Sequence, residues 1–315
     1  MSTLPTTARA VRFDHYGGRE VLAVHDVPMP EPAAGEVLVE VRAAGINPGE
    51  SAIREGALDA FAPSTFPSGQ GSDLAGVVVR LGPDVTGWTV GDEVLGWSWT
   101  RSSHASHAVV PVGQLVTKPP ELSWEVAGAL YVVGATAWAA TQAVAVEPGE
   151  VAVVSGAAGG VGSLVVQLVG AAGADVLALA SEPNHAWLRD HGAHPVTYGD
   201  GVADRLRAAA RGDGARIHAF VDTYGDPYVD LAIELGVDPD RIDTIIAFAS
   251  AARVGAHTDG SAVGTDTTVL TELAERAARG ELEVPVAAAY PLVEVADAFA
   301  ELETRHTHGK IVLLP

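Results

Sequence analysis

A glycine-rich turn between a β-branched segment and a helical segment constrains the fold of this chain most strongly. Residues 151–155 (VAVVS) are short, apolar and β-branched, which is typical of a strand covered on both faces in a parallel sheet. The turn GAAGGVG (156–162) follows, and residues 163–172 then place apolar side chains at helical spacing before Gly173 ends the pattern. Residues 175–180 read as a second strand. This order predicts one β-α-β unit of a parallel sheet.

Glycines in such a turn allow the backbone to approach an anion closely. N–H groups at the helix N-terminus then point at the anion, and the helix dipole favours negative charge there. The residues that would meet a dinucleotide pyrophosphate are Ala158, Gly159, Gly160, Val161 and Gly162. Close packing of a helix on a strand, with no ligand, is the alternative explanation for the same glycines.

The segments after the turn favour the dinucleotide interpretation. Helices are predicted at 187–191, 202–210, 227–235 and 267–279, and strands at 195–198, 218–223 and 243–249. Regular alternation of strand and helix predicts a doubly wound parallel sheet, which binds dinucleotides at the carboxyl ends of its strands. The predicted fold class is therefore α/β.

The end of the second predicted strand distinguishes NAD from NADP. An acidic residue there would hold the ribose hydroxyls of NAD, whereas a small hydroxylated residue can donate to the 2′-phosphate of NADP. This chain has Ser181 at that point, with Arg189 as a nearby cation and Glu182 as an unfavourable neighbour. We predict NADPH as the cofactor, with NADH as the less favoured alternative.

Composition and charge exclude several classes of protein. The 315-residue chain has no cysteine, which excludes a disulfide framework and a thiolate zinc site. Its formal net charge of −21 argues against nucleic acid or an anionic membrane surface as a partner. Residues 126–146 carry no formal charge, but their apolarity depends largely on alanine, so we predict a buried helix and no membrane span. The N-terminus lacks a continuous apolar signal segment, and we expect a cytoplasmic protein.

Motifs along nearly the whole chain resemble the medium-chain dehydrogenase/reductase superfamily, and within it the zinc-free, zeta-crystallin-like quinone oxidoreductases. The motifs are FDHYGGREVL (13–22), AAGINPGE (43–50), GSDLAGVVVRLGPDVTGWTVGDEVLG (71–96), GATAW (134–138), AAGGVG (157–162) and HTHGKIVLLP (306–315). Each motif alone is of modest specificity. Their shared order and spacing make the resemblance strong.

The resemblance implies a discontinuous domain arrangement. Residues 1–123 together with 285–315 would form a GroES-like β-barrel substrate domain. Residues 124–284 would form a Rossmann dinucleotide-binding domain inserted into it. Many short β-rich runs broken by Gly and Pro in residues 11–118 are compatible with this division. A homodimer is the family expectation.

The resemblance also implies positions for the active site. Zinc-dependent relatives place a cysteine at the position of Asn47 and a histidine at that of Ser72, so we expect no zinc; Asp73 stands where they have a glutamate, but one carboxylate does not make a site. The family asparagine that matches Asn47 lies near the nicotinamide ribose and the substrate. The threonine that matches Thr136 points at the nicotinamide. An ordinary turn residue and a helical threonine bonded to a backbone carbonyl are the respective alternatives.

Other positions carry weaker expectations. The family counterpart of Tyr198 reaches the adenosine 2′-phosphate, although sheet packing is its alternative role. Ala247 and Phe248, at the end of the strand predicted over 243–249, occupy the region where backbone groups meet the nicotinamide amide, and for Phe248 core packing is the favoured alternative. His104 is expected at a solvated strand end and not in a metal site.

The reaction implied by the resemblance is hydride transfer from NADPH to a small-molecule quinone or α,β-unsaturated carbonyl. Tyr16, Tyr131 and Glu50 are candidate donors of the proton that completes the reduction, and water is an equal alternative. Two other hypotheses stay open. The first is a dinucleotide-binding redox sensor or abundant protein without turnover, and the second is an enoyl reductase acting on a carrier-tethered substrate.

Overall fold

The structure is a computed structural model that describes residues 4–210 and 216–315. The strands in these ranges are β1 (Thr7–Phe13), β2 (Ala23–Pro28), β3 (Glu36–Gly45), β4 (Ser68–Gly69), β5 (Asp73–Leu81), β6 (Glu93–Trp97), β7 (His107–Pro111), β8 (Leu115–Thr117), β9 (Val151–Ser155), β10 (Asp175–Leu179), β11 (His194–Val196), β12 (Ala219–Asp222), β13 (Ile242–Thr244), β14 (Val286–Pro291) and β15 (Lys310–Leu314). The α-helices are α1 (Pro48–Arg54), α2 (Trp124–Val144), α3 (Gly160–Ala171), α4 (His185–Asp190), α5 (Val202–Ala209), α6 (Tyr228–Glu234), α7 (Phe248–Val254), α8 (Thr267–Ala278) and α9 (Val295–Glu303).

The chain divides into two compact units. The first comprises Met1–Val132 with Leu270–Pro315, and the second comprises Val133–Val269. The limits between them fall inside α2 and α8. The proposed functional domains, 1–123 with 285–315 and 124–284, stay a prediction.

The first unit consists mainly of antiparallel sheet. Its larger sheet has the strand order β14-β15-β3-β5-β6-β8, with β7 also paired to β3, and its smaller sheet has the order β2-β1-β4. Only β14 and β15 are parallel neighbours among the described strands of this unit. Val312 of β15 pairs with Gly45 of β3. The C-terminal strand therefore lies beside the end of β3 and the residues that follow it.

Two glycines allow close packing around the end of β3. A Cβ atom on Gly128, in the first half of α2, would lie 2.5 Å from the carbonyl oxygen of Ala43. A Cβ atom on Gly45 would lie 2.7 Å from Asp73 Oδ2. Real Cβ atoms do not approach neighbours this closely, so only glycine at these positions lets α2 and β5 reach the end of β3.

The second unit contains a parallel sheet with the order β11-β10-β9-β12-β13. All five residues of β9 are buried, as the β-branched segment 151–155 predicted. Apolar side chains from β9, β10 and β12 pack with those of α5 and α6, including Val153, Leu177, Leu206, Phe220 and Leu231. The predicted α/β parallel sheet is confirmed.

The strand predicted over 243–249 is wrong beyond Thr244. β13 ends at Thr244, and α7 begins at Phe248 with Ala247 as its N-cap residue. The Thr244 Oγ1 atom accepts hydrogen bonds from the N–H groups of Ala247, at 3.0 Å, and Ile246, at 3.4 Å. This side-chain acceptor turns the backbone away from the sheet, which the apolar run IIAFA did not reveal.

None of the helices in residues 4–210 and 216–315 combines the length and hydropathy that crossing a membrane requires.

Candidate functional site

The predicted cofactor turn lies between the end of β9 and the N-terminus of α3. Gly156 adopts a left-handed conformation with φ +59°, and Gly159 is the N-cap residue of α3. A Cβ atom on Gly162 would lie 2.2 Å from the Gly156 carbonyl oxygen. The first turn of α3 thus packs directly on the backbone of the turn. This contact explains the glycine at position 162 by close helix packing. The part of the turn that fits a pyrophosphate is the N-terminus of α3, which begins at Gly160 after the N-cap residue Gly159, because backbone N–H groups and the helix dipole favour an anion there.

A buried carboxylate, Asp222, connects the ends of three neighbouring strands behind this turn. Ser155 Oγ donates to Asp222 Oδ1 at 2.5 Å, and Thr244 Oγ1 donates to Oδ2 at 2.7 Å. The N–H groups of Tyr224 and Gly225 each donate to Oδ1 at 3.0 Å. The side chains of Ser155, Asp222 and Thr244 are fully buried. Asp222 therefore ties the carboxyl ends of β9, β12 and β13 together.

Thr223 extends this network into the glycine turn. Its Oγ1 donates to the Ser155 carbonyl oxygen at 2.7 Å, and its N–H donates to Ser155 Oγ at 3.1 Å. Asp222, Ser155 and Thr244 were not among the predicted site residues. A usable signal was present for Ser155 and Asp222, which follow apolar strand patterns at the same edge of the predicted sheet, whereas Thr244 is followed by the apolar run IIAFA and gave none.

The residues predicted for the 2′-phosphate end of the cofactor follow β10 and β11. Ser181 Oγ accepts from Asn184 Nδ2 at 3.2 Å, and Arg189 is exposed in α4. Glu182 is also exposed. Tyr198 is 48% exposed, which is inconsistent with a role confined to sheet packing.

Arg205 of α5 holds the loop that carries Tyr198, and sequence reasoning missed it. Its guanidinium donates to the carbonyl oxygens of Thr197 at 2.9 Å, Gly199 at 3.1 Å and Asp200 at 2.7 Å. Three fixed donors in one plane suit such a set of carbonyls. The loop after β11 is therefore held from within the second unit.

Ala247 and Phe248 occupy a different local structure from the one predicted. The Ala247 N–H donates to Thr244 Oγ1, and its carbonyl oxygen accepts from the Ala251 N–H at 2.9 Å. Phe248 is 54% exposed, so core packing does not account for it. Thr136 is buried within α2 in the second unit. The cofactor roles of all three residues stay predictions.

The first unit contains a cluster of Asn47, Glu50, Asp73, His104 and Lys310, which we name the buried polar cluster. Each of these residues is at most 6% exposed. Lys310 Nζ donates to Asn47 Oδ1 at 2.6 Å, to Asp73 Oδ2 at 3.2 Å and to the Ile46 carbonyl oxygen at 2.9 Å. Asn47 Nδ2 donates to Asp73 Oδ2 at 3.1 Å and to Glu50 Oε1 at 3.4 Å.

Glu50 acts as an acceptor within this cluster. Its carboxylate accepts from the N–H groups of Asn47 at 3.0 Å and Ser72 at 2.9 Å, so it caps the N-terminus of α1. His104 Nε2 lies 3.1 Å from the Gly45 carbonyl oxygen and 3.7 Å from Glu50 Oε2. The expectation of a solvated His104 is therefore wrong, because the chain turns this side chain inward beneath β3 before β7 begins.

Asp73 is the carboxylate at the centre of the cluster. Burial raises the pKa of Asp73 most, while the Lys310 ammonium, the Val132 N–H and the Asn47 amide lower it. The Val132 N–H donates to Asp73 Oδ1 at 2.7 Å. The nearby Glu50 carboxylate raises the pKa of Asp73 further. The cluster thus holds two carboxylates close together, with one ammonium between Asp73 and Asn47.

The donor set of the cluster does not fit zinc. An asparagine and a serine occupy the positions of the expected cysteine and histidine ligands, and the Lys310 ammonium lies between Asn47 and Asp73. Within the described ranges, no three His, Asp or Glu side chains converge in a way that could hold a metal ion.

Three aromatic side chains, Trp97, Tyr131 and Trp99, contact one another, and the first of them lies beside Asp73 of the buried polar cluster. Trp97, which pairs with Asp73 across β5 and β6, stacks on Tyr131 with ring centroids 4.4 Å apart. Trp99 meets the same Tyr131 edge to face at 6.3 Å and is 53% exposed. Tyr131 itself is only 2% exposed. The stack therefore supports Trp99, whose indole offers an accessible aromatic surface.

Tyr16 lies elsewhere in the first unit. Its hydroxyl donates to Asp59 and accepts from the Ser64 N–H at 3.0 Å, and its ring packs against Phe66. Among the predicted catalytic residues, the structure brings Asn47 and Glu50 into direct contact and places Tyr131 beside Val132, the partner of Asp73. Lys310 was not predicted, although a lysine beginning the apolar run IVLL was a visible signal.

Comparison with known proteins agrees with these features. Residues 33–109 match the alcohol dehydrogenase GroES-like domain family, and residues 126–313 match the zinc-binding dehydrogenase family. The chain is 30% identical to a quinone oxidoreductase of Pseudomonas aeruginosa, over 98% of this chain and 100% of that protein. It is 34% identical to a quinone oxidoreductase of Mus musculus, over 62% of this chain and 60% of that protein.

A solved structure gives the same picture of the fold. The quinone oxidoreductase from Coxiella burnetii is 27% identical, with a TM-score of 0.86 over 98% of this chain and 99% of that chain. The predicted fold class is confirmed: a GroES-like domain and a Rossmann domain with a parallel sheet.

Proposed function

The chain belongs to the quinone oxidoreductase branch of the medium-chain dehydrogenase/reductase superfamily and is an oxidoreductase, and from that premise we propose that it reduces a quinone or an α,β-unsaturated carbonyl with NADPH, without zinc. The observation that carries the proposal is the glycine turn after β9. There, the contact between Gly162 and Gly156 leaves no room for a side chain, and Asp222 fixes the adjoining strand ends.

The chain offers residues for each part of the cofactor. We assign the pyrophosphate to Ala158, Gly159, Gly160, Val161 and Gly162, and the 2′-phosphate end to Ser181, Arg189 and Tyr198. We assign the nicotinamide end to Thr136, Ala247 and Phe248. When bound, NADPH would supply the hydride. The protein's own contribution is to bind and orient the reactants.

The acceptor side of the reaction belongs to the first unit in this proposal. Asn47 is fixed by the buried polar cluster, and Trp99 presents an exposed aromatic surface supported by Tyr131. Aromatic surfaces favour planar, unsaturated partners such as quinones. The names of the relatives from Pseudomonas aeruginosa and Mus musculus agree with a quinone substrate.

The contacts favour water as the proton source. Glu50 uses its carboxylate to accept hydrogen bonds from two backbone N–H groups, and Tyr16 donates its hydroxyl hydrogen to Asp59. Tyr131 is almost fully buried beneath Trp97. Each of the three candidate donors is thus held in a structural contact, whereas a water molecule would need no protein group to give up its partner.

The deciding experiment follows NADPH oxidation with a panel of quinones, enones and simple aldehydes. NADH and a chelator are run in parallel. Chelator-insensitive turnover of quinones or enones that prefers NADPH would support the proposal. Turnover that stops when the chelator is added would contradict the zinc-free part of the proposal. Turnover that prefers NADH would contradict the NADPH part.

Binding of NADPH without turnover of any acceptor would favour the redox-sensor hypothesis. Turnover limited to carrier-tethered enoyl substrates would favour the enoyl reductase. The homodimer also stays a prediction, which light scattering of the purified protein would test.

A further inference from the structure

We propose that Lys310 is the resident cation of the buried polar cluster, and that it fixes the orientation of Asn47 in the place where zinc-dependent relatives hold a metal. The link to Asn47 as an active-site group rests on the proposed function. The role of Lys310 as a buried, hydrogen-bonded cation does not. Lys310 is accordingly a positioning residue, which acts through Asn47.

The contacts of Lys310 use the ammonium group completely. An ammonium has three N–H donors and no acceptor, and Lys310 Nζ has three oxygen partners, on Ile46, Asn47 and Asp73. The side chain is 4% exposed, so water does not compete at this position. The ammonium therefore has one arrangement in which all of its donors are satisfied.

This arrangement decides which way the Asn47 amide points. Because Lys310 can only donate, the Asn47 oxygen must face Nζ, and the Nδ2 group must then face the carboxylates of Asp73 and Glu50. A reversed amide would place NH₂ against NH₃⁺ and a carbonyl oxygen against two carboxylates. Lys310 thus removes the ambiguity that an isolated asparagine would have.

Charge gives a second, independent reason for the lysine. Asp73 and Glu50 are both buried, and each is also within hydrogen-bond distance of Asn47 Nδ2. His104 also faces Glu50, with its Nε2 3.7 Å from Glu50 Oε2, beyond hydrogen-bond distance. Two buried carboxylates need a cation, and Lys310 supplies it as part of the chain.

The chain supplies a matched control, because Lys118 is its other lysine. Lys118 is also buried, at 5% exposure, and Nζ donates to Glu93 at 3.1 Å and to the Pro119 carbonyl oxygen at 3.2 Å. Substitution of either lysine by methionine therefore removes a buried positive charge and its hydrogen bond to a carboxylate. Only Lys310 contacts Asn47.

The first measurement is NMR of the full chain labelled with ¹⁵N at lysine Nζ. Two ammonium signals are expected, and Lys118→Met assigns them by removing one. We expect the Lys310 signal to be protected from exchange with water and to shift in Asn47→Ala, while the Lys118 signal stays in place. A Lys310 signal that exchanges rapidly, or that does not respond to Asn47→Ala, would overturn the proposal even if the enzyme has another activity.

The second measurement compares kcat and KM for the best acceptor in Lys310→Met and Lys118→Met. We expect Lys310→Met to lower kcat/KM by about 10- to 100-fold, as for other groups that orient an active-site residue, and Lys118→Met to leave it unchanged. Lys310→Met leaves the Asp73 carboxylate without its cation. The double variant Lys310→Met/Asp73→Asn removes both charges and so controls for this effect. Its folding should recover while its kcat/KM stays low.

Three outcomes contradict the proposal. The first is equal kcat/KM in both lysine variants at a temperature where both are folded. The second is full recovery of kcat/KM in the double variant, which would show that only charge balance matters. The third is one equivalent of zinc retained by the wild-type protein after dialysis and lost in Asp73→Asn. A wild-type protein without any turnover would instead contradict the proposed function and leave the NMR result valid.

Discussion

Asn47 and Lys310 are 263 positions apart in the sequence, and their side chains meet through a 2.6 Å hydrogen bond inside the first unit. The contact exists because β15 pairs with the end of β3. This pairing brings the C-terminal strand beside Asn47, which lies between β3 and α1. A site at the N-terminal part of the chain is thus completed by the C-terminal strand.

We predict that Gly162→Ala abolishes tight cofactor binding and destabilises the second unit. The added methyl group would lie 2.2 Å from the Gly156 carbonyl oxygen, so the turn or α3 must move. Overpacking of this kind costs about 1–3 kcal/mol.

The control variant is Gly170→Ala, in the same helix, where the new Cβ would have nothing within 4 Å. It should instead stabilise the protein by about 0.5–1 kcal/mol. Denaturant unfolding and NADPH fluorescence titration measure both effects, and similar behaviour of the two variants would contradict the tight-turn explanation.

Asp222→Asn should weaken cofactor binding through the glycine turn, which Asp222 does not itself form. The side-chain NH₂ group of the variant would face a hydroxyl or N–H donor at a position where a carboxylate oxygen of Asp222 accepts a hydrogen bond. Each lost hydrogen bond to a charged group is worth about 1.5–3 kcal/mol. We expect a lower free energy of unfolding and a higher Kd for NADPH. An unchanged Kd in a destabilised variant would limit Asp222 to a structural role.

Asp243 should make the protein less stable as the pH rises. Burial raises the pKa of Asp243 to about 7, with the backbone N–H of Asp259 acting in the opposite direction. Its Oδ2 has no hydrogen-bond partner in residues 4–210 and 216–315. Because the folded state holds this proton more tightly than the unfolded state, the contribution to stability is complete below pH 4 and is lost between pH 4 and about pH 7.

The matching variant is Asp243→Asn, which keeps an oxygen acceptor for the Asp259 N–H at 2.7 Å and cannot ionise. We expect it to raise the thermal midpoint at pH 8 and to have little effect at pH 4, where the contribution of Asp243 is still nearly complete. Thermal unfolding at both pH values measures this difference. A variant that is equally destabilised at both would show that the carboxylate is not the source of the pH dependence.

Trp99→Ala should raise KM for aromatic quinones more than for a small enone such as 2-cyclohexenone. The indole is 53% exposed and supported edge to face by Tyr131. An aromatic pair contributes about 0.5–1.5 kcal/mol beyond area burial, which corresponds to a KM increase of about 2- to 10-fold. Trp99→Phe should retain most of the affinity. Equal changes in KM for both acceptors would mean that Trp99 does not contact the acceptor ring.

Local sequence patterns were sufficient for most of the second unit. The buried strand at 151–155, the glycine turn and α3 follow one another in the chain, so their relationship depends on neighbours in sequence. The pattern failed at 243–249, because the apolar run IIAFA is compatible with a strand and only the Thr244 side chain shows where the strand ends. A short polar residue that ends a strand and one that lies within it look alike in sequence.

The first unit shows the opposite balance. Its motif AAGINPGE identified Asn47 and Glu50 only through the family resemblance, and His104 was expected in solvent although it is buried. No pattern in the chain predicts that Lys310 meets Asn47 and Asp73, since antiparallel pairing of β3 with β5 and β15 brings together residues from three distant segments. Hydrophobic periodicity indicates which face of a strand is buried, but it does not indicate which other strand pairs with it in the sheet.

The sequence by itself therefore determined the α/β class, the position of the glycine turn and the order of strands and helices around it, because these depend on local periodicity and on the steric freedom of glycine. Only the tertiary structure decided how Asp222 joins three strand ends and how Lys310 orients Asn47. Buried polar groups must find partners wherever the packed chain supplies them, and those partners are set by strand pairing across the whole unit.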